Sequence, residues 1–204
     1  MKFFSPDSKF AQVMTSFGEM MLLNLCWIIA SLPLITMGAA NTAMYTVMGR
    51  RLREEGSGTI LPFFRAWWSN LKNSTLFWTA QVFVCASGIL SLMLPLPGFF
   101  KGIMAVVMIL VTMVFSTIYP QIARFRNRRF VYLRNAVILL VLRPGWVAVH
   151  FLLLVSPVIW FLLMPVAFIR LGFIWILFGF SGLFYLSARL MQRILQPLEE
   201  LSEK

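Results

Sequence analysis

Five stretches of about twenty mainly apolar residues, near 20–39, 74–94, 102–120, 145–164 and 166–187, dominate this sequence, and none carries an ionisable side chain at its centre. Twenty such residues wound as a helix cover the roughly 30 Å hydrocarbon core of a bilayer. No water reaches backbone groups there, so each stretch is confined to a structure that pairs its own N–H and C=O groups. The expected fold class is therefore all-α: a polytopic membrane helix bundle of about five transmembrane helices with interfacial amphipathic helices, forming one integral membrane domain over 1–204. Composition agrees, because 60% of the residues are hydrophobic and only 12% are charged, about half the charged share of a soluble domain.

The connections carry the topology. Pro95-Leu96-Pro97-Gly98 and the lone Pro165 predict tight turns, whereas segments 41–73 and 121–144 are long and basic. The first holds Arg50, Arg51, Arg53, Arg65 and Lys72, the second Arg124, Arg126, Arg128, Arg129, Arg134 and Arg143, and the tail Arg189, Arg193 and Lys204. With five spans these fourteen of the 18 basic residues share one side, leaving Lys2, Lys9, Lys101 and Arg170 opposite. Basic loops stay inside, so the expectation is an outside amino terminus and a cytoplasmic carboxy terminus in a bacterial inner or plasma membrane. An alternative breaks the first stretch at Pro33 and Gly38 into a re-entrant pair, 20–33 and 36–49. Both ends then lie inside and the basic count becomes sixteen to two.

Ahead of the first stretch, Ser5-Pro6-Asp7 reads as a helix cap, a first-turn proline and an early acid, followed by apolar Phe10, Val13, Met14 and Phe17. This predicts an interfacial amphipathic helix over 1–19. Gly38-Ala39-Ala40 resembles a signal-peptidase site, but cleavage there would carry Arg50, Arg51 and Arg53 to the outer face, against the charge rule. Cys26 and Cys85 lie in apolar runs with no CxxC or Cys/His cluster, so neither a disulfide framework nor a metal site is expected, and no cofactor.

Intramembrane ionisable residues mark ion and proton paths, and the span centres hold none. Their polar residues are amides and hydroxyls: Asn24, Gln81, Ser87, Thr112, Ser116, Ser156 and Ser181, read as interhelical hydrogen bonds. A path for a neutral solute, lined by aromatics and amides, fits that inventory. Gly179-Phe180-Ser181-Gly182 matches the GxSG of rhomboid intramembrane proteases, which would need His150 as the base for Ser181. The histidine precedes the serine, contrary to the rhomboid order, so this is the remote alternative. Small residues at Gly172, Gly179 and Gly182 are read as close helix contacts, and His150 as an interfacial polar residue. Glu54-Glu55 lacks the arginine that an EExxxR motif requires, and no phosphate loop or HExxH occurs. The sequence predicts no enzyme.

Arg124-Phe125-Arg126-Asn127-Arg128-Arg129-Phe130 mixes basic and aromatic residues as nucleic-acid contacts do. Between two spans, the simpler account is anchoring of Arg124, Arg126, Arg128 and Arg129 in an anionic inner leaflet, at about 1 kcal/mol per residue, with no nucleic acid as partner.

The segments Asn24-Leu25-Cys26-Trp27, Ser31-Leu32-Pro33-Leu34-Ile35-Thr36-Met37-Gly38 and Ala43-Met44-Tyr45, followed by Phe63-Phe64-Arg65-Ala66-Trp67-Trp68-Ser69-Asn70-Leu71-Lys72, together resemble the YesL-like family of small bacterial membrane proteins. Ala39 stands where many relatives have proline. The resemblance implies a gene setting beside carbohydrate ABC importers and glycan-degrading enzymes, with no established reaction. It implies a non-enzymatic accessory or assembly partner of the sugar ABC permease subunits, against the alternative of an autonomous channel or carrier for a neutral solute. Phe63, Phe64, Arg65, Trp67, Trp68 and Asn70 are the candidate partner contacts. As a helix, Phe64, Trp67, Trp68 and Leu71 form one apolar stripe, with Arg65 and Lys72 off it. Lipid or a partner protein would bury it.

Overall fold

Pro33 decides the shape of the first third of the chain. Proline donates no backbone hydrogen bond and forces its predecessor out of helical geometry. In the computed structural model, which describes residues 9–55 and 58–202, the first helix, α1 (Lys9–Ser31), stops two residues before Pro33, which is extended at φ −75°, ψ 100°. A single 3-10 turn, Leu34–Thr36, follows, and the chain reverses into α2 (Met37–Leu52). The carbonyls freed at the break find donors. The Thr36 hydroxyl is shared between Ala30 O and Pro33 O, both at 2.8 Å, and the Trp78 indole N–H donates to Leu34 O at 2.7 Å.

Stretch 20–39 is therefore not one helix. The break falls at Leu32–Thr36, on Pro33 but short of Gly38, which lies in the first turn of α2. α1 and α2 form an antiparallel hairpin. Near its tip the Trp27 indole donates to Asn41 Oδ1 at 3.0 Å, and at its open end Arg51 pairs with Glu19 at 3.1 Å. The Ser5-Pro6-Asp7 cap lies outside the described residues, but from Lys9 onward the leading segment runs without a break into the first stretch as far as Ser31.

α2 is the central helix. Nine of its 16 residues are buried, packed among α1, α3, α5 and α10. Gly38 makes that approach to α3 geometrically allowable: a Cβ there would stand 2.6 Å from the Trp78 Cβ and overlap the Ser74 carbonyl oxygen. One turn on, the Thr42 and Ser74 hydroxyls bond at 2.8 Å.

α3 (Ile60–Met93) is 34 residues long, about 50 Å at 1.5 Å per residue. The expected basic loop 41–73 thus resolves into α2, a short connector and the first half of α3. Helical pattern wins there because Phe63, Ala66, Ser74 and Phe77 fall on one buried face. After the Leu94–Pro97 turn come α4 (Gly98–Ser116) and α5 (Ile118–Arg124), bent apart at Thr117. Pro120 accounts for the bend, since it has no N–H to give to the carbonyl four residues back, that of Ser116. The second basic loop also contains a helix, α6 (Arg129–Leu142), which leads into α7 (Pro144–Leu163).

The last apolar stretch is assembled from pieces: α8 (Pro165–Arg170), α9 (Gly172–Ile174), a π-turn at Trp175–Gly179, and α10 (Phe180–Ser202). A π-turn shifts the i→i−4 register and orphans backbone groups. Asn24 of α1, fully buried, meets them. Its Nδ2 donates to Trp175 O at 2.9 Å and Ile176 O at 2.5 Å, and its Oδ1 accepts the Ser181 N–H at 2.8 Å.

Among the described residues, five helical segments are long and apolar enough to cross a membrane: Val13–Ser31, Ile60–Met93, Gly98–Arg124, Pro144–Leu163 and Gly172–Leu195. Their outer faces expose large apolar side chains such as Phe83, Phe99, Leu162 and Phe173, far more than water tolerates. The chain is an all-helical, multi-pass membrane bundle.

Candidate functional site

The hairpin, α3, α4, α5, α7 and α10 enclose a cavity of about 360 Å³, at the lower end of the roughly 300–1,000 Å³ range of ligand pockets. Its lining mixes aromatics such as Trp27, Tyr45, Trp78 and Phe184, aliphatics such as Leu154 and Leu183, the amides Asn41 and Gln81, and the hydroxyls of Thr112 and Ser116. Among the described residues that line it, none is charged.

The two amides have defined orientations. An indole can only donate, so the bond from Trp27 fixes Asn41 with Oδ1 toward the ring and Nδ2 away from it. Gln81 Oε1 accepts the Tyr119 hydroxyl at 2.7 Å. Neither amino group has a hydrogen-bond partner among the described residues. Both amides line a cavity whose other residues are aromatic, aliphatic and hydroxyl, so their NH₂ groups are available to an acceptor there.

Tyr45 closes one end. Its ring meets Phe184 edge-on at 5.0 Å, and its hydroxyl lies 2.6 Å from Ser187 Oγ. Ser187 in turn lies 3.0 Å from His150 Nδ1, and His150 Nε2 lies 3.4 Å from Ser116 O. A carbonyl only accepts, so Nε2 carries the proton and Nδ1 accepts from Ser187. Ser187 then accepts from Tyr45, and the hydrogen bonds run one way, from Tyr45 to Ser116. Pro120 created the vacancy on Ser116 O that this chain fills.

This arrangement corrects two expectations. His150 is a fully buried core residue, not an interfacial one. It is also not paired with Ser181, whose hydroxyl donates to Phe178 O at 3.0 Å in its own helix. The protease pairing is absent. Hydroxyls at Ser87, Ser116 and Ser156 likewise bond carbonyls three residues back, while Asn24 and Gln81 bridge between helices and Thr112 does both, bonding Met108 O in its own helix and lying 3.6 Å from Cys85 Sγ of α3. A short hydroxyl reaches its own preceding turn, whereas an amide extends past it. Of the three glycines read as close helix contacts, Gly172 and Gly182 face open space, and Gly179 lies against the Trp175 ring of its own helix.

Beyond Tyr45 lies a second cavity of about 210 Å³, lined by Thr46, Gly49, Arg53, Arg124, Ala188 and Gln192 among others. Arg53 grips Glu55 through Nε at 2.6 Å and a terminal nitrogen at 2.9 Å. Glu54 permits this by taking left-handed geometry at φ 57°. The Arg53 hydrogen bonds hold the Glu55 carboxyl below its usual range, and Arg53, Arg124 and Arg50 add electrostatic pull. The pair's contribution to stability is thus present in full above the unfolded carboxyl value, about 4.3, and lost as pH falls through the lower folded value. NMR titration of the Glu55 carboxyl should show that low midpoint, and Arg53→Ala should raise it; an unchanged midpoint would mean the grip is not made in solution.

The candidate partner contacts on α3 separate. Phe63 is buried, and Trp67 is partly buried with its indole nitrogen unpartnered, whereas Phe64, Arg65 and Trp68 are exposed. The stripe Phe64, Trp67, Trp68, Leu71 accordingly does not share one environment, because the inward face of the helix is centred on Phe63 and Ala66. Asn70 bonds Ala66 O within the helix. Of the basic run, Arg124 reaches the second cavity, Arg129 donates to Asn73 Oδ1 at 3.0 Å, and Arg126 and Arg128 are exposed.

Sequence reasoning missed Trp27, Asn41, Tyr45 and Trp78 as a group. The one available signal was the spacing of Asn41, Tyr45, Gly49 and Arg53, four residues apart along one face of α2.

No curated protein and no solved structure shows significant similarity to this chain. Residues 20–92, which hold the hairpin from Met20 onward and nearly all of α3, match the family model described as "Protein of unknown function, DUF624".

Proposed function

We propose that this is a non-enzymatic membrane protein that holds a small, neutral, polyhydroxylated solute inside its bundle. The observation that carries the reading is the uncharged 360 Å³ cavity in which the amino groups of Asn41 and Gln81 lack partners. Hydroxyl oxygens would accept from those amides, and the C–H faces of a sugar ring would pack on Trp27, Trp78 and Phe184. The YesL-like resemblance supports a saccharide as the solute and carbohydrate uptake as the setting. An accessory role beside sugar ABC permease subunits is the second part of this reading. It draws support from Trp68, 72% exposed beside Phe64 and Arg65 on α3. In this reading the basic residues face an anionic inner leaflet. The Glu19–Arg51 pair then favours the re-entrant count, with α1 returning its amino-terminal end to the basic side.

The test is titration of the purified protein in nanodiscs with neutral mono- and disaccharides, followed by tryptophan fluorescence. A saturable response is expected, and Gln81→Leu should weaken it roughly three- to tenfold, as for the loss of one hydrogen bond. Absence of a saturable response to every saccharide and polyol tried would overturn the proposal.

A further inference from the structure

The two cavities share a wall, and the same helix faces continue through it. On α2 the lining passes from Asn41 through Tyr45 to Gly49 and Arg53, and on α10 from Phe180 and Phe184 to Ala188 and Gln192. The α4–α5 segment does the same, from Thr112 and Tyr119 to Ala123 and Arg124. Steps of three and four residues keep each set on one face of its helix. Beyond Tyr45, Ala123 and Ala188 line the second cavity beside longer side chains such as Met191 and Leu195, and the Arg53 guanidinium lies 3.2 Å from where a Cβ on Gly49 would stand.

We propose that the two cavities are successive chambers of one conduit, closed at Tyr45, through which the solute passes between the aromatic chamber and the basic face bearing Arg53 and Arg124. This rests on the solute reading above and adds passage to binding. The Tyr45 ring is the barrier, since it borders both chambers and is 4% exposed. Ser187, backed by His150, is the latch that holds the ring across the path. Opening is a swing of that one side chain off Ser187 toward the second cavity, past Ala188 and Ala123. Ser187 and His150 are positioning residues: Ser187 touches the ring's hydroxyl, His150 touches Ser187, and neither lines the conduit.

Cysteine accessibility tests the conduit without any solute. In a Cys26→Ala, Cys85→Ala background, membrane vesicles of one orientation are selected so that Arg126→Cys reacts with the membrane-impermeant thiol reagent MTSES in the bath. Gly49→Cys should then react, and Asn41→Cys should be protected while Tyr45 is present. Adding Tyr45→Ala should bring Asn41→Cys to about the rate of Gly49→Cys. Ser187→Ala, which keeps the ring, should raise its rate roughly fivefold, the population shift expected when one hydrogen bond holding the closed state is lost. Asn41→Cys that reacts equally with and without Tyr45 would remove the barrier, and one that stays protected in folded Tyr45→Ala and Ser187→Ala proteins would remove the connection. Either result overturns the conduit while leaving saccharide binding to stand or fall on its own titration.

Discussion

Asn24→Leu is expected to be among the most destabilising single changes in this chain. One buried amide satisfies two carbonyls and one N–H at the π-turn, and each orphaned buried group costs about 1–3 kcal/mol. The loss is expected to be on the order of 3 kcal/mol or more, read as a lower denaturant midpoint in detergent micelles. Asn24→Asp separates the roles, since it keeps an acceptor for the Ser181 N–H but cannot donate to Trp175 O and Ile176 O. It should also destabilise, by burying a charge as well as losing two donors. A wild-type midpoint for Asn24→Leu would show that the π-turn satisfies itself.

Gly38→Ala should have the second large effect. A single methyl there meets the Ser74 carbonyl and the Trp78 Cβ, both attached to the backbone of α3, so no flexible side chain can yield. Overpacking of this kind costs about 1–3 kcal/mol, and here it also displaces Trp78 from the cavity wall. Reduced thermal stability and weakened saccharide response should therefore appear together. Gly182→Ala is the control: its added Cβ faces open space, and removing a helical glycine should be neutral or stabilising by up to about 1 kcal/mol. Equal behaviour of the two variants would show that α2 and α3 are not in close contact at Gly38.

The apolar stretches and the helical class were legible because lipid imposes them on every twenty-residue run. The break at Pro33 was legible as chemistry, yet one sequence could not decide between a continuous span and a hairpin. That choice depends on donors from elsewhere, Thr36 and Trp78, closing the freed carbonyls. The first half of α3 was hidden for a different reason. Arg65, Asn70, Lys72 and Asn73 made the segment read as a loop by composition, although Phe63, Ala66, Ser74 and Phe77 already carried a helical period. α6 was concealed by its brevity and by Arg134. The cavity was the least legible feature. Its aromatic and amide chemistry could be anticipated, but which residues meet depends on the relative register of seven helices, and that is set by contacts such as Gly38 on Trp78 and Trp27 on Asn41.

The missing hydrogen of Pro120 reaches further than the bend it causes. Because it commits Ser116 O to His150, it fixes which imidazole nitrogen is protonated, and through Ser187 it spends the Tyr45 hydroxyl hydrogen away from the cavity. The Tyr45 hydroxyl then has only a lone pair left once Ser187 holds its hydrogen, whereas the NH₂ groups of Asn41 and Gln81 remain free to donate. A guest that satisfies both must donate at one end and accept at the other. On the proposed solute reading, an ether or a ketone would fail at one end and an alcohol would not, so the chamber's polarity would favour hydroxyl groups before shape is considered.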